Sequence, residues 1–207
     1  MEGNRKNGTS GRRLRETLRC REAILSAAAE LFAHNGYENT SMKRISEHAE
    51  LSVGKLYSHF EGKEEILRAL IVRHIDELQS VTDGVRNPGD APMERVRKTL
   101  AAATAYMKEH PEVFLVYLNE NPLILGGLVK EEISKKRETL MDDLAEAMDR
   151  GDIPAGAPAI LATVMMSAVQ GLAHMLAESG RVDDFDDIPA IMDRLLLRPL
   201  EAAQGDR

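Results

Sequence analysis

The chain has 207 residues and 22.9 kDa, with 43% apolar and 29% charged residues, a balance that fits one soluble domain or two small ones and excludes a disordered chain. Its net charge of −7 is unevenly spread: residues 1–63 hold 11 Lys/Arg against 8 Asp/Glu, the remainder 16 against 26, so a basic head precedes an acidic body and points to an anionic partner for the head. The single cysteine, Cys20, excludes an internal disulfide and a cysteine-based zinc site, and it fits a reducing cytoplasm.

The opening segment MEGNRKNGTSGRRLRET has no apolar stretch of the kind a signal peptide needs, and residues 1–16 are expected to form a flexible basic arm. Its Arg5, Lys6, Arg12, Arg13 and Arg15 suit either entry into a minor groove or a loose solubilising tail. Helical periodicity governs the rest of the chain, with no convincing strand alternation. Ile24, Ala27, Ala28, Leu31 and Phe32 share one face of a first helix, and Asn35-Gly36 supplies its stop. Thr40 or Ser41 caps a short second helix whose inner face is Met42, Ile45 and Ala49.

After the tight turn Glu50-Leu51, Ser52 caps a third helix that is expected to reach Phe60. At ~100° per residue Val53, Leu56, Tyr57 and Phe60 fall on one arc, which predicts that they pack inward. Gly54, Lys55, Ser58 and His59 fall on the opposite arc. Gly62 ends this helix, and Lys63-Glu64-Glu65 opens a longer one to about Ser80. Three short helices with a tight turn before the last make a helix-turn-helix. A recognition helix needs an apolar inner face to fix its angle and small or hydrogen-bonding residues outside to enter a major groove. Gly54 permits close approach, Lys55, Ser58 and His59 can reach bases or phosphates, and Lys63 can meet a phosphate at a helix start. The alternative is an ordinary hairpin with solvated residues. His34 and His48 lack metal-ligand spacing.

The breaker-rich run TDGVRNPGDAP, residues 82–92, marks the boundary between head and body. Beyond it come an amphipathic helix (Met93, Val96, Leu100, Ala103, Met107), a short helix after Pro111, a long one from about Leu123 to Met148, an Ala/Met-rich one from about Pro158, and a last one over Phe185 to Leu197. Ile153 to Ala177 carries no formal charge and is long enough to span a bilayer, but it holds prolines and glycines and lacks basic or aromatic flanks, so it reads as an interior helix. Its apolar surface is wide enough that a second subunit is the economical cover. Thr163, Ser167, Gln170 and His174 form a polar stripe on it that suits a dimer seam, a ligand or bonds within the chain. Sequence signatures of metalloproteases, P-loop enzymes, serine hydrolases and dinucleotide binders are missing, so no enzyme, catalytic residue, metal or cofactor is expected.

The stretch AILSAAAELFAHNGYENTSMKRISEHAELSVGKLYSHFEGKEEIL resembles the N-terminal domain of TetR-family transcriptional regulators in its AAxxLF helix, its GYxxTS entry and its ISxxAxLSxGxLYxHFxxKExL run. The resemblance covers the head only. It implies an all-α fold with a three-helix DNA-binding domain and a larger helical domain for ligand binding and dimerisation. The expected plan is an arm over 1–16, the helix-turn-helix over 17–63, a connecting helix over 64–81, and the second domain over 82–207. The resemblance implies that Thr40 and Ser41 hold phosphate, that Ser52, Val53, Gly54 and Lys55 face the groove, that Tyr57, Ser58 and His59 touch backbone or base edges, and that Lys63 clamps a phosphate. Ser58 stands where the family often has an aromatic residue. A ligand pocket would draw on Met107, Phe114, Tyr117, Leu118, Met141, Met166, Gln170 and His174. The implied protein is a cytoplasmic homodimer without membrane partner. It would bind a palindromic double-stranded DNA operator and respond to a small-molecule effector, most simply as a repressor. The rival readings are an activator of the same type and a helical protein-interaction module with no operator.

Overall fold

The computed structural model describes residues 5–112, 116 and 138–205, and every regular element among them is helical. The helices are α1 (Arg5–Asn35), α2 (Met42–His48), α3 (Val53–Tyr57), α4 (Lys63–Val85), α5 (Pro92–Glu109), α6 (138–149) and α7 (Pro158–Glu178). A 3-10 segment, Val182–Asp187, then leads into α8 (Ile188–Met192), a π turn over Asp193–Leu197, and α9 (Arg198–Gly205). The chain divides into two compact units, Met1–Ile71 and Val72–Arg207, and α4 contributes to both.

In the first unit, α1 packs on α2 and α2 on α3. Ile24, Ala28, Phe32, Ile45, Leu56, Phe60, Ile66 and Leu70 are almost wholly removed from water. This is the helical face that the spacing of apolar residues dictates. Gly36, at φ 78°, takes the left-handed conformation that ends α1, and its N–H donates to the Phe32 carbonyl. α1 is described from Arg5 on, so residues 5–16 of the segment expected to be a flexible arm are helical.

The turn between α2 and α3 is a Schellman motif built on a residue that resists it. The Glu50 N–H donates to the Glu47 carbonyl and the Leu51 N–H to the Ser46 carbonyl, which requires a left-handed residue between them. That residue is Glu50, at φ 56°, while Gly151 and Gly180 fill the corresponding place at the ends of α6 and α7. A side chain there crowds the following carbonyl and costs about 1–2 kcal/mol.

The second unit is centred on Leu78, Val96, Leu100, Leu144, Ile153, Ala162, Val169, Phe185 and Ile188, all buried in one cluster. α4 runs on through Thr82-Asp83-Gly84 to Val85, because the expected breakers there contain no proline and the Thr82 hydroxyl donates back to the Leu78 carbonyl. The last helix also passes its expected end at Leu197. A wide π turn, in which the Arg198 N–H reaches the Asp193 carbonyl, makes room for Pro199 where an α-helical turn would clash.

Two polar clusters are buried in this unit. Asp143 of α6, 3% exposed, receives Arg86 Nη2 at 2.6 Å and Arg86 Nε at 3.2 Å, and also Arg95 Nε at 2.7 Å. Arg95 is itself 7% exposed, and its other nitrogens bond Glu146 and the Asp90 carbonyl. The 82–92 segment is thereby tied to α6. The second cluster joins α4 to α5. Arg73 donates to His74 Nε2 at 3.1 Å, His74 Nδ1 donates to the Tyr106 hydroxyl at 2.5 Å, and Tyr106 donates to Glu77 Oε2 at 2.7 Å. That chain of partners assigns His74 as neutral with its proton on Nδ1. Burial, then the Arg73 charge, lower its pKa from 6.5 to about 4, with His110 adding to the effect and Glu77 opposing it.

α7 departs from the expected interior helix. Its inner face, Ala162, Met165, Val169, Ala173 and Leu176, is buried, but Ile160, Val164 and Met175 are 67%, 47% and 52% exposed. It is the one helix among the described residues long and apolar enough to cross a membrane by length and composition. On the polar stripe, Thr163 donates to the Ala159 carbonyl and Ser167 is exposed. His174 has one ring nitrogen 3.5 Å from the Glu178 carboxylate and the other buried with no hydrogen-bond partner among the described residues. Of the expected pocket residues, Met107 and Met141 belong to the apolar core, Met166, Gln170 and His174 are half-buried, and Phe114, Tyr117 and Leu118 lie outside the described residues.

Candidate nucleic-acid interface

Each short helix of the first unit starts on a serine. The Arg44 N–H donates to Ser41 Oγ and the Lys55 N–H to Ser52 Oγ, both at 3.2 Å, which satisfies one free donor at each helix start. Both serines are exposed. A capping hydroxyl accepts with its oxygen and keeps its own hydrogen, so each can still donate outward to a phosphate.

Thr40 differs from its neighbour. It is 2% exposed, its hydroxyl donates to the Gly36 and Leu31 carbonyls, and its N–H donates to the Tyr37 carbonyl. All its donors are used inside the fold, so its expected phosphate contact is withdrawn and its work is to shape the α1–α2 loop.

α3 spans five residues rather than reaching Phe60, and its two arcs need correction. Leu56 and Phe60 are buried as expected, but Val53 is 38% and Tyr57 53% exposed. Lys55 and His59, expected outside, are half-buried. Helical spacing still holds, with the boundary between the arcs turned from its expected place: at ~100° per residue Val53, Gly54, Tyr57 and Ser58 share one arc and Lys55, Leu56, His59 and Phe60 the other, and Ser58 is the C-cap. The exposed set is therefore Ser52, Val53, Gly54, Tyr57 and Ser58. Ser58 Oγ donates to the Lys55 carbonyl at 2.6 Å, which leaves it lone pairs to accept with and no proton to give. A Cβ placed on Gly54 would meet nothing within 4 Å. The fold itself does not require glycine there.

His59 is held neutral at neutral pH, its pKa lowered by burial and by the nearby charges of Lys55 and Arg21. Its Nε2 is buried and without a hydrogen-bond partner among the described residues. Lys63 is also engaged inward. Its Nζ donates to the Tyr37 carbonyl at 2.6 Å and lies 4.1 Å from the centre of the Tyr37 ring, with the Glu38 carbonyl at 3.4 Å. The free phosphate clamp expected at Lys63 is instead a latch from α4 onto the α1–α2 loop, with at most one ammonium hydrogen left over.

Two residues of this arrangement escaped the sequence reading. Tyr37 supplies the ring and carbonyl for Lys63 from 26 positions away. Arg21 donates to the His59 carbonyl at 3.3 Å and stacks 4.2 Å over the Phe60 ring, joining α1 to the end of α3. No local spacing could have found either pair. The GYxxTS run that carries Tyr37 was the one available signal.

Residues 24–70 match the family model of bacterial regulatory proteins of the tetR family. The HTH-type transcriptional repressor KstR of Rhodococcus jostii is 33% identical over 91 residues, 44% of this chain and 42% of its own length. The HTH-type transcriptional regulator YhgD of Bacillus subtilis is 24% identical over 187 residues, 88% of this chain and 97% of its own. The chain spans 40–42% of the length of two of the curated relatives it matches. In fold it resembles the fatty acid degradation regulator FadR of Bacillus halodurans, with a TM-score of 0.74 at 14% identity over 83% of this chain and 93% of that one. These relatives are transcriptional regulators and not enzymes. Residues 24–70, over α1 to α4, thus carry a domain of the tetR-family type, and the described remainder of the chain is helical, as in the regulators it is similar to at partial and full length.

Proposed function

We propose that the protein is a ligand-responsive repressor that binds a palindromic operator as a homodimer in the cytoplasm. The observation that carries the DNA-binding part is the exposed arc of α3. Ser52, Val53, Gly54, Tyr57 and Ser58 are exposed beside a buried Leu56 and Phe60, and the hydrogen bonds of Ser52 and Ser58 are those that cap and close α3. In a major groove, Val53 suits a thymine methyl, Ser58 can accept from a base amino group, and the Tyr57 hydroxyl and the Ser41 and Ser52 hydroxyls can donate to phosphates. Lys55 and His59 sit behind this arc and take supporting roles in the reading.

Dimerisation is supported by the outer face of α7, where Ile160, Val164 and Met175 are exposed beside Ser167 and Gly171, a small-residue track that allows close helix approach. Effector response would act through α4, whose first half belongs to one unit and whose second half carries the His74 network. An effector that prefers one arrangement of this helix would shift the population able to match two half-sites.

The test is selection of random duplex DNA by the full-length chain, with recovered sites titrated across a salt series. A palindrome whose binding falls steeply with salt is the expected result, since phosphate contacts release counterions. A folded chain that enriches no duplex, or whose binding ignores salt, would leave the interaction-module reading in its place.

A further inference from the structure

Residues 5–21 contain seven Lys/Arg and one Asp/Glu, in a chain whose net charge is −7. All of them lie on α1, and residues 12–19 are every one exposed. A single carboxylate, Glu16, cannot neutralise this run. At ~100° per residue Arg12, Arg15 and Arg19 fall within an arc of about 60°, as like charges three and four apart, an arrangement that works against an isolated helix. An anionic partner would relieve that repulsion.

The segment is also anchored at one defined point. Arg21, where it meets the packed part of α1, donates to the His59 carbonyl and lies over the Phe60 ring, immediately beyond the C-cap of α3. The basic turns therefore leave the fold beside the end of the helix that faces DNA. From Arg5 to Arg21 they extend ~24 Å at 1.5 Å per residue. Duplex DNA carries about 14 phosphate charges over that length.

We propose that this basic stretch of α1 is a second DNA-contacting element, lying along the phosphates that flank the half-site read by α3. The proposal deepens the operator-binding reading above and rests on it. The contact would be sequence-independent, so it would enlarge the footprint and the salt dependence without changing which bases are preferred.

The test compares the full-length chain with the variant Arg12→Gln/Arg13→Gln/Arg15→Gln/Arg19→Gln. Each is titrated against the selected site with and without a flank of about one helical turn on either side. At ~0.9 per phosphate contact, the variant should lose about 2–4 from the slope of log affinity against log salt, bind on the order of 10–100-fold more weakly at moderate salt, and gain nothing from the flanks. The milder Arg12→Gln/Arg15→Gln pair, expected to show about half the slope change, replaces the quadruple variant if circular dichroism shows lost helix. Equal slopes for a wild type that does bind the site overturn the proposal and leave the α3 reading standing. A wild type that binds no duplex overturns that reading first and this one with it. Retention of anionic lipid vesicles through these arginines, with the operator slope unchanged, overturns it in favour of a membrane surface.

Discussion

The two units use polar residues in opposite ways. The first keeps a compact apolar centre and spends its hydroxyls on helix caps, leaving the outer surface of α3 without internal duties. The second joins its polar groups in networks around Asp143 and around His74 that link separate helices. A buried, satisfied network defines one arrangement of its helices but is intolerant of losing a member. An exposed, capped helix tolerates change in itself and depends on its partner for any role.

The largest test of that difference is Asp143→Ala. Leaving Arg86 and Arg95 without their shared carboxylate should destabilise the second unit by ~3–5 kcal/mol in denaturant titrations. An exposed pair in the first unit such as Lys43–Glu47 should contribute less than ~0.5 kcal/mol, measured the same way after Glu47→Ala.

Acid titration should separate the units next. Unfolded, His74 takes its proton near 6.5, whereas folded it does so only at about 4. Between those values the unfolded chain binds more protons, so stability falls as the pH falls, by up to ~3 kcal/mol at pH 4. His74→Gln should flatten that part of the stability–pH curve, read by chemical denaturation at stepped pH.

In the first unit, Lys63→Met removes the latch on Tyr37. Duplex binding should weaken by roughly 5-fold, the ~1 kcal/mol scale of a cation–π contact, while the salt slope stays nearly fixed. A slope lowered by ~0.9 would show a direct phosphate contact at Lys63 instead. A smaller and opposite effect is expected at the turn. Glu50→Gly relieves a left-handed residue and should raise stability by ~0.5–1 kcal/mol, since glycine's extra freedom when unfolded offsets part of the gain.

Much of the first unit was legible in the sequence because its signals are local. The serine caps, the Asn35-Gly36 stop, and the buried row Ile24, Ala28, Phe32, Ile45 and Leu56 all derive from spacing along single helices. The α3 arcs were misplaced because Val53 and Tyr57 are apolar or aromatic and were turned inward with Leu56 and Phe60, whereas the helix buries the arc that runs from Lys55 and His59 to Leu56 and Phe60. Thr40, Lys63 and Arg21 were misjudged or missed because each is decided by a partner remote in sequence, such as Tyr37 or His59. In the second unit, the apolar row Met93, Val96, Leu100 and Met107 was readable, whereas the Arg86–Asp143–Arg95 bonds join residues 48–57 positions apart and left no periodic trace.

The most direct measurement is a paired one on Gly54→Ala, thermal stability beside duplex affinity. The free protein has open space at this Cβ and a helix that favours alanine over glycine, so stability should hold or rise by up to ~1 kcal/mol. Affinity for the selected duplex should fall at least ~10-fold, the loss of about 1.4 kcal/mol, because the added methyl stands where DNA must approach. Unchanged affinity in a stable variant would contradict the placement of this face of α3 against DNA.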